Sequence, residues 1–306
     1  MDFSFTEEQQ ILRENIIRFA RETLNKDVIN RDREQHFSRE LWKSCGEMGL
    51  QGLPVPEEYG GSGLDPVSCA IALEALGYGC HDSGLVFSIC AHLLSCVVPL
   101  WRHGNEEQKR RYLPGLCNGT SIGVHAMTEP GSGSDAFALR TRAEPDNDGF
   151  RLNGTKTFIS NGPVADLVIV FAVTDPKKGY FGGITAFLVQ KGTRGFRSSQ
   201  KFEKMGLRTS PIGELVFEDV YVSTSAVLGG PGAGSTFFTS TMDWERICLF
   251  ASHVGTMERL METSIAYART RVQFGQAIGK FEAISHRIAD MKVQLEAARL
   301  LTYRAA

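Results

Sequence analysis

The sequence predicts an α+β protein in which a β domain is inserted between two helical regions, and three observations predict it. Apolar residues recur at helical spacing up to about Gly119. From about Thr120 the period changes to two, with β-branched and aromatic residues gathering, and after the Gly229-Gly-Pro-Gly-Ala-Gly234 loop helical spacing returns. The implied domains are 1–119 (helical), 120–230 (β) and 231–306 (helical). With 306 residues, 42% of them hydrophobic, the chain has core for more than one domain.

Each element has its own signal. Thr6 and Gln9 form a capping box ahead of Ile11, Leu12, Ile16 and Phe19, which share one helix face. Leu41 to Met48 reads as a short helix closed by Gly49. Asp65 to Leu76 reads as another, with Pro66 in its first turn and Gly77 as its stop. Between them Leu53-Pro-Val-Pro-Glu-Glu-Tyr-Gly-Gly-Ser-Gly63 is a loop. Asn153-Gly154, flanked by Phe150-Arg-Leu and Thr155-Lys-Thr-Phe-Ile159, predicts a hairpin with a type I′ turn. Leu167 to Val173, Ile184 to Val189 and Glu214 to Val222 are further strands. Helices follow over about Ser235 to Arg271 and from Glu282 to the end, separated by Gly275 and Gly279. The last helix carries no Gly, Asn or Pro stop signal near Ala306, so either the terminus is frayed or the chain is part of a longer protein.

Composition excludes several function classes. Lys plus Arg (33) nearly balance Asp plus Glu (35), which gives no general field for nucleic acid or anionic membranes. The run from Ser83 to Trp101 approaches bilayer length. It contains Ser88, His92, Ser95 and Pro99, and reads as a buried helix rather than a membrane span. Seven cysteines without a CxxC pair read as buried thiols in a reducing compartment. The acidic start lacks a secretory leader, so a cytoplasmic location is expected. The sequence has no HExxH, no Walker motif and no early GxGxxG, which disfavours metal catalysis and a Rossmann domain. His81, His92 and His103 read as structural, and Met257 and Met261 as core packing.

The most unusual stretch is His125-Ala-Met-Thr-Glu-Pro-Gly-Ser-Gly-Ser-Asp135, where two glycines and three hydroxyls can bring bare backbone N–H groups against a flat or phosphorylated ligand. By composition alone it could equally be an ordinary connector. This loop is followed by Asn153-Gly-Thr-Lys-Thr-Phe-Ile-Ser-Asn-Gly162, by Lys204-Met-Gly-Leu-Arg-Thr-Ser210 and by Arg269-Thr-Arg-Val-Gln-Phe-Gly-Gln-Ala-Ile-Gly279. Taken together and in this order, these segments resemble the acyl-CoA dehydrogenase family. The resemblance implies a helical domain, a central β domain that is a barrel or sandwich, and a C-terminal four-helix bundle, with FAD bound between them and across a subunit interface. Residues 231–306 are then part of that bundle, which favours a longer protein over a frayed terminus. His125, Met127 and Thr128 would then lie along the isoalloxazine, and Ser134 would reach the pyrophosphate or the acyl-carrier arm. Phe158, Ile159 and Ser160 would cover the flavin and hydrogen-bond near N5, with Phe where many members have Trp. Arg271, Gln273 and Phe274 would meet the FAD of a neighbouring subunit in a homotetramer or homodimer.

Family members place the catalytic carboxylate either in a later helix or on the first long C-terminal helix. Met242-Asp-Trp-Glu-Arg246 puts Glu245 at the second position. Its neighbours at i±3 and i±4 are Thr241, Met242, Cys248 and Leu249, none a cation, so an intrahelical ion pair does not account for it. A tuned general base does, and so does a partner on another helix. Asp243 and Arg246 are expected to pair with each other; with Ser134 they are the candidate substrate-binding residues. The implied reaction is FAD-dependent α,β-dehydrogenation of an acyl thioester, the α-proton going to Glu245 and the β-hydride to flavin N5. Electrons would pass on to an electron-transfer flavoprotein or a similar acceptor. Trp244-Glu245 and the segment from Gly84 to Leu100 also resemble the branch acting on acyl or prolyl groups tethered to carrier proteins. The alternatives are a flavin-dependent oxidase or monooxygenase of the same fold, and a non-catalytic relative that binds flavin or acyl groups.

Overall fold

A computed structural model describes residues 4–306. In the described residues the helical part opens with α1 (Glu7–Phe19), α2 (Val28–Arg33), α3 (Arg39–Glu47), α4 (Pro66–Gly79), α5 (Ser83–His92), α6 (Val98–His103) and α7 (Glu106–Cys117). The strands are β1 (Gly123–Ala126), β2 (Arg142–Asp146), β3 (Gly149–Ser160), β4 (Leu167–Val173), β5 (Ile184–Gln190), β6 (Phe196–Lys201), β7 (Ile212–Ser223) and β8 (Val227–Leu228). Then come α8 (Gly234–Thr270), the short β9 (Val272–Gln273) and β10 (Gln276–Ala277), and α9 (Glu282–Ala305). The chain divides into two compact units. One comprises Met1–Lys26, Asp65–Val86 and Arg246–Ala306, the other Asp27–Leu64 and Phe87–Glu245.

The first unit is helical apart from the β9–β10 hairpin. The capping box at Thr6 and Gln9 forms as predicted. Asp65 caps α4 by accepting from the amides of Val67 (3.0 Å) and Ser68 (3.1 Å). Helix α4 runs on through Gly77 instead of stopping there, because this glycine serves a crossing and not a cap. A Cβ at Gly77 would lie 1.9 Å from the Ser252 carbonyl oxygen of α8, and one at Gly255 would lie 1.9 Å from the Glu74 carbonyl oxygen. Beside that contact Glu74, 3% exposed, accepts from Arg299 Nε (3.0 Å) and Tyr303 Oη (2.7 Å). Met261 packs with Val254 and Leu295. Met257 does not join them and is 41% exposed. At ~100° per residue it sits about 60° from Val254 and about 40° from Met261, to one side of their stripe.

The second unit is built on an eight-stranded sheet ordered β6-β7-β3-β2-β4-β5-β8, with β1 also running parallel to β4. Strands β4 and β5 are near-continuous buried apolar runs, as strands covered on both faces must be. Asn153-Gly154 is not a turn but lies inside β3. The chain reverses earlier, at Asn147-Asp148, with Asp146 opposite Gly149. The Asn-Gly pair marks an irregularity in the β3–β7 ladder and a close approach, since a Cβ at Gly154 would fall 2.4 Å from Thr141 Oγ1. The run Ser83–His103 is long and apolar enough to cross a bilayer by length and composition, yet 83% of its most apolar window is buried in protein. All seven cysteines are buried and unbridged, and burial pushes the thiols of Cys96, Cys117 and Cys248 up to about 12.

Candidate active site

The site grows from the end of β1. After Ala126 the chain leaves the sheet, and two residues of β3 take up two successive carbonyls. Lys156 Nζ donates to Met127 O (3.0 Å), and the Thr157 amide donates to Thr128 O (2.9 Å). Lys156 is fully buried and forms an ion pair with Glu129 at 2.8 Å, while Glu129 also accepts from the amides of Arg140 (2.7 Å) and Thr141 (3.0 Å). Burial alone would raise the Glu129 carboxyl, but the Lys156 charge and these hydrogen bonds bring it below its ordinary value. The Gly-Ser segment is thus closed at its base by a charged clamp. At its outer part Glu129 and Ser132 exchange backbone hydrogen bonds, and Ser134 stands exposed.

One residue past the clamp, β3 bulges. The β7 register jumps from Lys156↔Leu215 to Ile159↔Gly213, and Phe158 is thrown out with a left-handed backbone (φ +55°) and 62% exposure. Its ring pairs with that of Phe202, 5.3 Å between centroids. Ile159 is buried in the core, and Ser160 is half-buried. The hydroxyls of Thr128 and Ser160 make no hydrogen bond within the described residues. Hydroxyls without partners beside a loosely held aromatic ring and an exposed Gly-Ser loop suit a flat ligand with a polar edge. The imidazole of His125 is packed in an aromatic cluster, 4.8 Å from Phe171 and 5.6 Å from Phe238. Its ring nitrogens lack partners of good geometry, and burial holds it neutral with its pKa near 4, the Ser95 backbone offsetting only part.

Glu245 is half-buried on α8, on the stripe that carries Thr241 (2% exposed), Cys248 (1%) and Ser252 (2%). Asp243 and Arg246 overturn the expected pairing: both are exposed, and neither forms an ion pair in the described residues. Arg271, Gln273 and Phe274 belong to the first unit, at a β9–β10 hairpin whose turn, Phe274-Gly275, has positive φ at both positions (+52° and +79°). Phe274 is 93% exposed. The structure therefore brings together Met127, Thr128, Phe158, Ile159 and Ser160 in one unit and leaves Arg271, Gln273 and Phe274 displayed on the other. Sequence reading missed Lys156 and Glu129 as site builders, because a lysine in a strand normally reads as solvent-facing.

Three family models cover nearly the whole chain: the acyl-CoA dehydrogenase N-terminal domain over residues 6–120, the middle domain over 125–220 and the C-terminal domain over 232–306. The chain belongs to the acyl-CoA dehydrogenase family. Among curated relatives, an L-prolyl-[peptidyl-carrier protein] dehydrogenase from a Serratia species is 43% identical over 100% of this chain and 79% of its own length. The protein of the same description from Pseudomonas fluorescens is 44% identical over 100% and 80%. Among solved structures, PigA with FAD and proline superposes with a TM-score of 0.97 at 43% identity, covering 99% of this chain and 79% of that one. Butyryl-CoA dehydrogenase from Megasphaera elsdenii superposes with 0.95 at 40% identity, covering 100% and 80%. This acyl-CoA dehydrogenase is an FAD-dependent oxidoreductase that dehydrogenates acyl thioesters at a CH–CH bond. The exposed Phe158 ring and the unpartnered hydroxyls of Thr128 and Ser160 fit that cofactor: a ring to cover an isoalloxazine and hydroxyls to meet its polar edge.

Proposed function

We propose that the substrate is an acyl group held as a thioester on a carrier protein, with prolyl as the foremost acyl group. Identity carries this reading. The two carrier-protein dehydrogenases match the full chain at 43–44%, whereas six relatives described as acyl-CoA or isovaleryl-CoA dehydrogenases match at 38–40%.

In this reading Glu245 is the general base. The thioester carbonyl acidifies the adjacent C–H, and a carboxylate on a mostly buried helix face receives that proton away from bulk water. Bound FAD supplies the hydride acceptor. Thr128 and Ser160 present their hydroxyls to its polar edge, Phe158 covers it, and Met127 and Ile159 contribute backbone while their side chains anchor the two segments in the core. His125 continues the same strand behind them. Ser134, exposed at the end of its loop, meets the substrate arm or the pyrophosphate. The Arg271–Phe274 hairpin is offered to the FAD of a second copy, the guanidinium suiting phosphate because its planar fork binds bidentately. The acceptor is an electron-transfer flavoprotein.

The test is anaerobic titration of the purified full-length enzyme with prolyl-carrier, butyryl-carrier and the corresponding CoA thioesters, following flavin bleaching. Stoichiometric bleaching by prolyl-carrier alone is expected. Bleaching by CoA thioesters with none from carrier-loaded groups would refute the substrate. Rapid reoxidation on admitting air would replace the flavoprotein acceptor with oxygen, as the structural neighbour described as the prolyl acyl carrier protein oxidase AnaB suggests.

A further inference from the structure

The strongest electrostatic feature of the second unit is a charged pair that the reaction does not consume. Lys156 is 0% exposed and Glu129 4% exposed at the side chain. Burying two charges is expensive, and pairs of this kind are commonly no more stabilising than apolar residues of the same volume. This pair holds specific backbone groups. The ammonium binds Met127 O, the carboxylate binds the amides of Arg140 and Thr141, and next door Thr157 N binds Thr128 O. Both ends of the Thr128 residue are therefore fixed from β3, and the bulge that turns Phe158 outward starts at the next residue.

We propose that Lys156 and Glu129 are a positioning pair for the cofactor. By fixing the Met127–Thr128 peptide, and by polarising it through the ammonium on Met127 O, the ion pair holds the Thr128 hydroxyl and amide in the geometry FAD binding requires. Loss of either charge loosens both flavin-facing segments together. This rests on the reading that Met127 and Thr128 face the flavin.

A pH dependence follows. In the described residues the titratable groups interacting with Lys156 are Glu129 on the loop and His125 on β1, the latter neutral above about pH 4. Burial pushes Lys156 down to about 8, and Glu129 offsets only part of that. The protonated lysine is the form that grips Met127 O. FAD affinity is thus full below about pH 8 and is lost as pH rises through that value, and bound FAD in turn raises the lysine pKa.

The experiment measures FAD dissociation constants by fluorescence between pH 6.5 and pH 9. It uses the full-length wild type, the Lys156→Met/Glu129→Gln double variant, which leaves no lone buried charge, and Thr128→Val. Wild-type affinity should fall roughly tenfold from pH 7 to pH 9. The double variant, with its apo melting temperature as the folding control, should bind roughly tenfold more weakly at pH 7 and show no pH dependence. Wild-type affinity flat across this range would overturn the proposal even if the double variant failed to fold, and so would wild-type affinity in a folded double variant. Unchanged binding in Thr128→Val would instead overturn the placement of that loop at the flavin.

Discussion

Shortening or neutralising Glu245 separates its chemistry from its packing. The residue lies on a helix whose flanking positions, Thr241 and Cys248, are 2% and 1% exposed, so α8 cannot shift to compensate for a shorter side chain. Glu245→Asp withdraws the carboxylate by about one C–C bond, ~1.5 Å. A misplacement of about 1 Å costs on the order of 10²-fold, or ~2.7 kcal/mol of barrier. Glu245→Gln keeps the length and removes the base, which costs on the order of 10²–10⁴-fold. Both variants should retain bound FAD, because the proposed flavin contacts lie on other segments. Anaerobic stopped-flow reduction with the best thioester substrate reads the effect as the rate of flavin bleaching at saturation. Reduction in Glu245→Gln within about threefold of wild type would refute the assignment of the base.

Other consequences concern the packing within each unit. Arg299→Met leaves Glu74 buried with the Tyr303 hydroxyl still donating to it but its cation gone; it should cost ~3–5 kcal/mol in urea unfolding, and less than about 1 kcal/mol would show the network to be solvated. Gly77→Ala places a Cβ against the Ser252 carbonyl at 1.9 Å and must push α4 and α8 apart; a loss of at least ~1–3 kcal/mol is expected, with Ala at the exposed Gly133, where a Cβ meets nothing, as the near-neutral control. His92, whose Nδ1 accepts from the Gly123 amide and whose Nε2 donates to Leu116 O, is held neutral to about pH 4 chiefly by burial. The unfolded chain binds the extra proton first as pH falls below 6.5, so stability is fully present above that value. His92 alone should take ~3 kcal/mol from that stability on the way to pH 4, and a His92→Asn variant should show a shallower slope in denaturant titrations across that range.

The sequence made the helical and strand periods legible because they are set by local side-chain pattern, and Thr6, Asp65 and Pro66 marked helix starts through capping chemistry that acts within one turn. What it hid depends on contacts distant in the chain. Gly77 looks like a stop signal until Ser252 is seen against it, and Asn153-Gly154 looks like a turn until Thr141 and Asp219 are seen filling the space around it. At the site, the Gly-Ser loop was visible by composition. Its clamp was not, since nothing local distinguishes a buried strand lysine from a solvated one. Asn161 is a similar case, tied to the Ser88 carbonyl and hydrogen-bonded through its amide to Pro211 O.

Backbone strain identifies the same segments independently. Outside glycine, eight described residues have positive φ, and five of them are Asp, Asn or Gln, side chains that tolerate or locally support that conformation. The other three are large and apolar: Phe158, Leu207 and Phe274. Each lies in one of the segments that carry the family resemblance. A left-handed Phe or Leu costs on the order of 1–2 kcal/mol, and its apolar side chain makes no hydrogen bond in return. Two of the three also expose most of their surface, Phe158 at 62% and Phe274 at 93%, so burial in this chain does not offset that cost either. On the function proposed above, a cofactor that one ring covers and the other reaches from a second copy would supply that compensation. Substituting Gly at either position should therefore relieve the strained φ while weakening FAD binding. A simple folding role would instead lower the stability of the apo protein without touching its affinity for the cofactor.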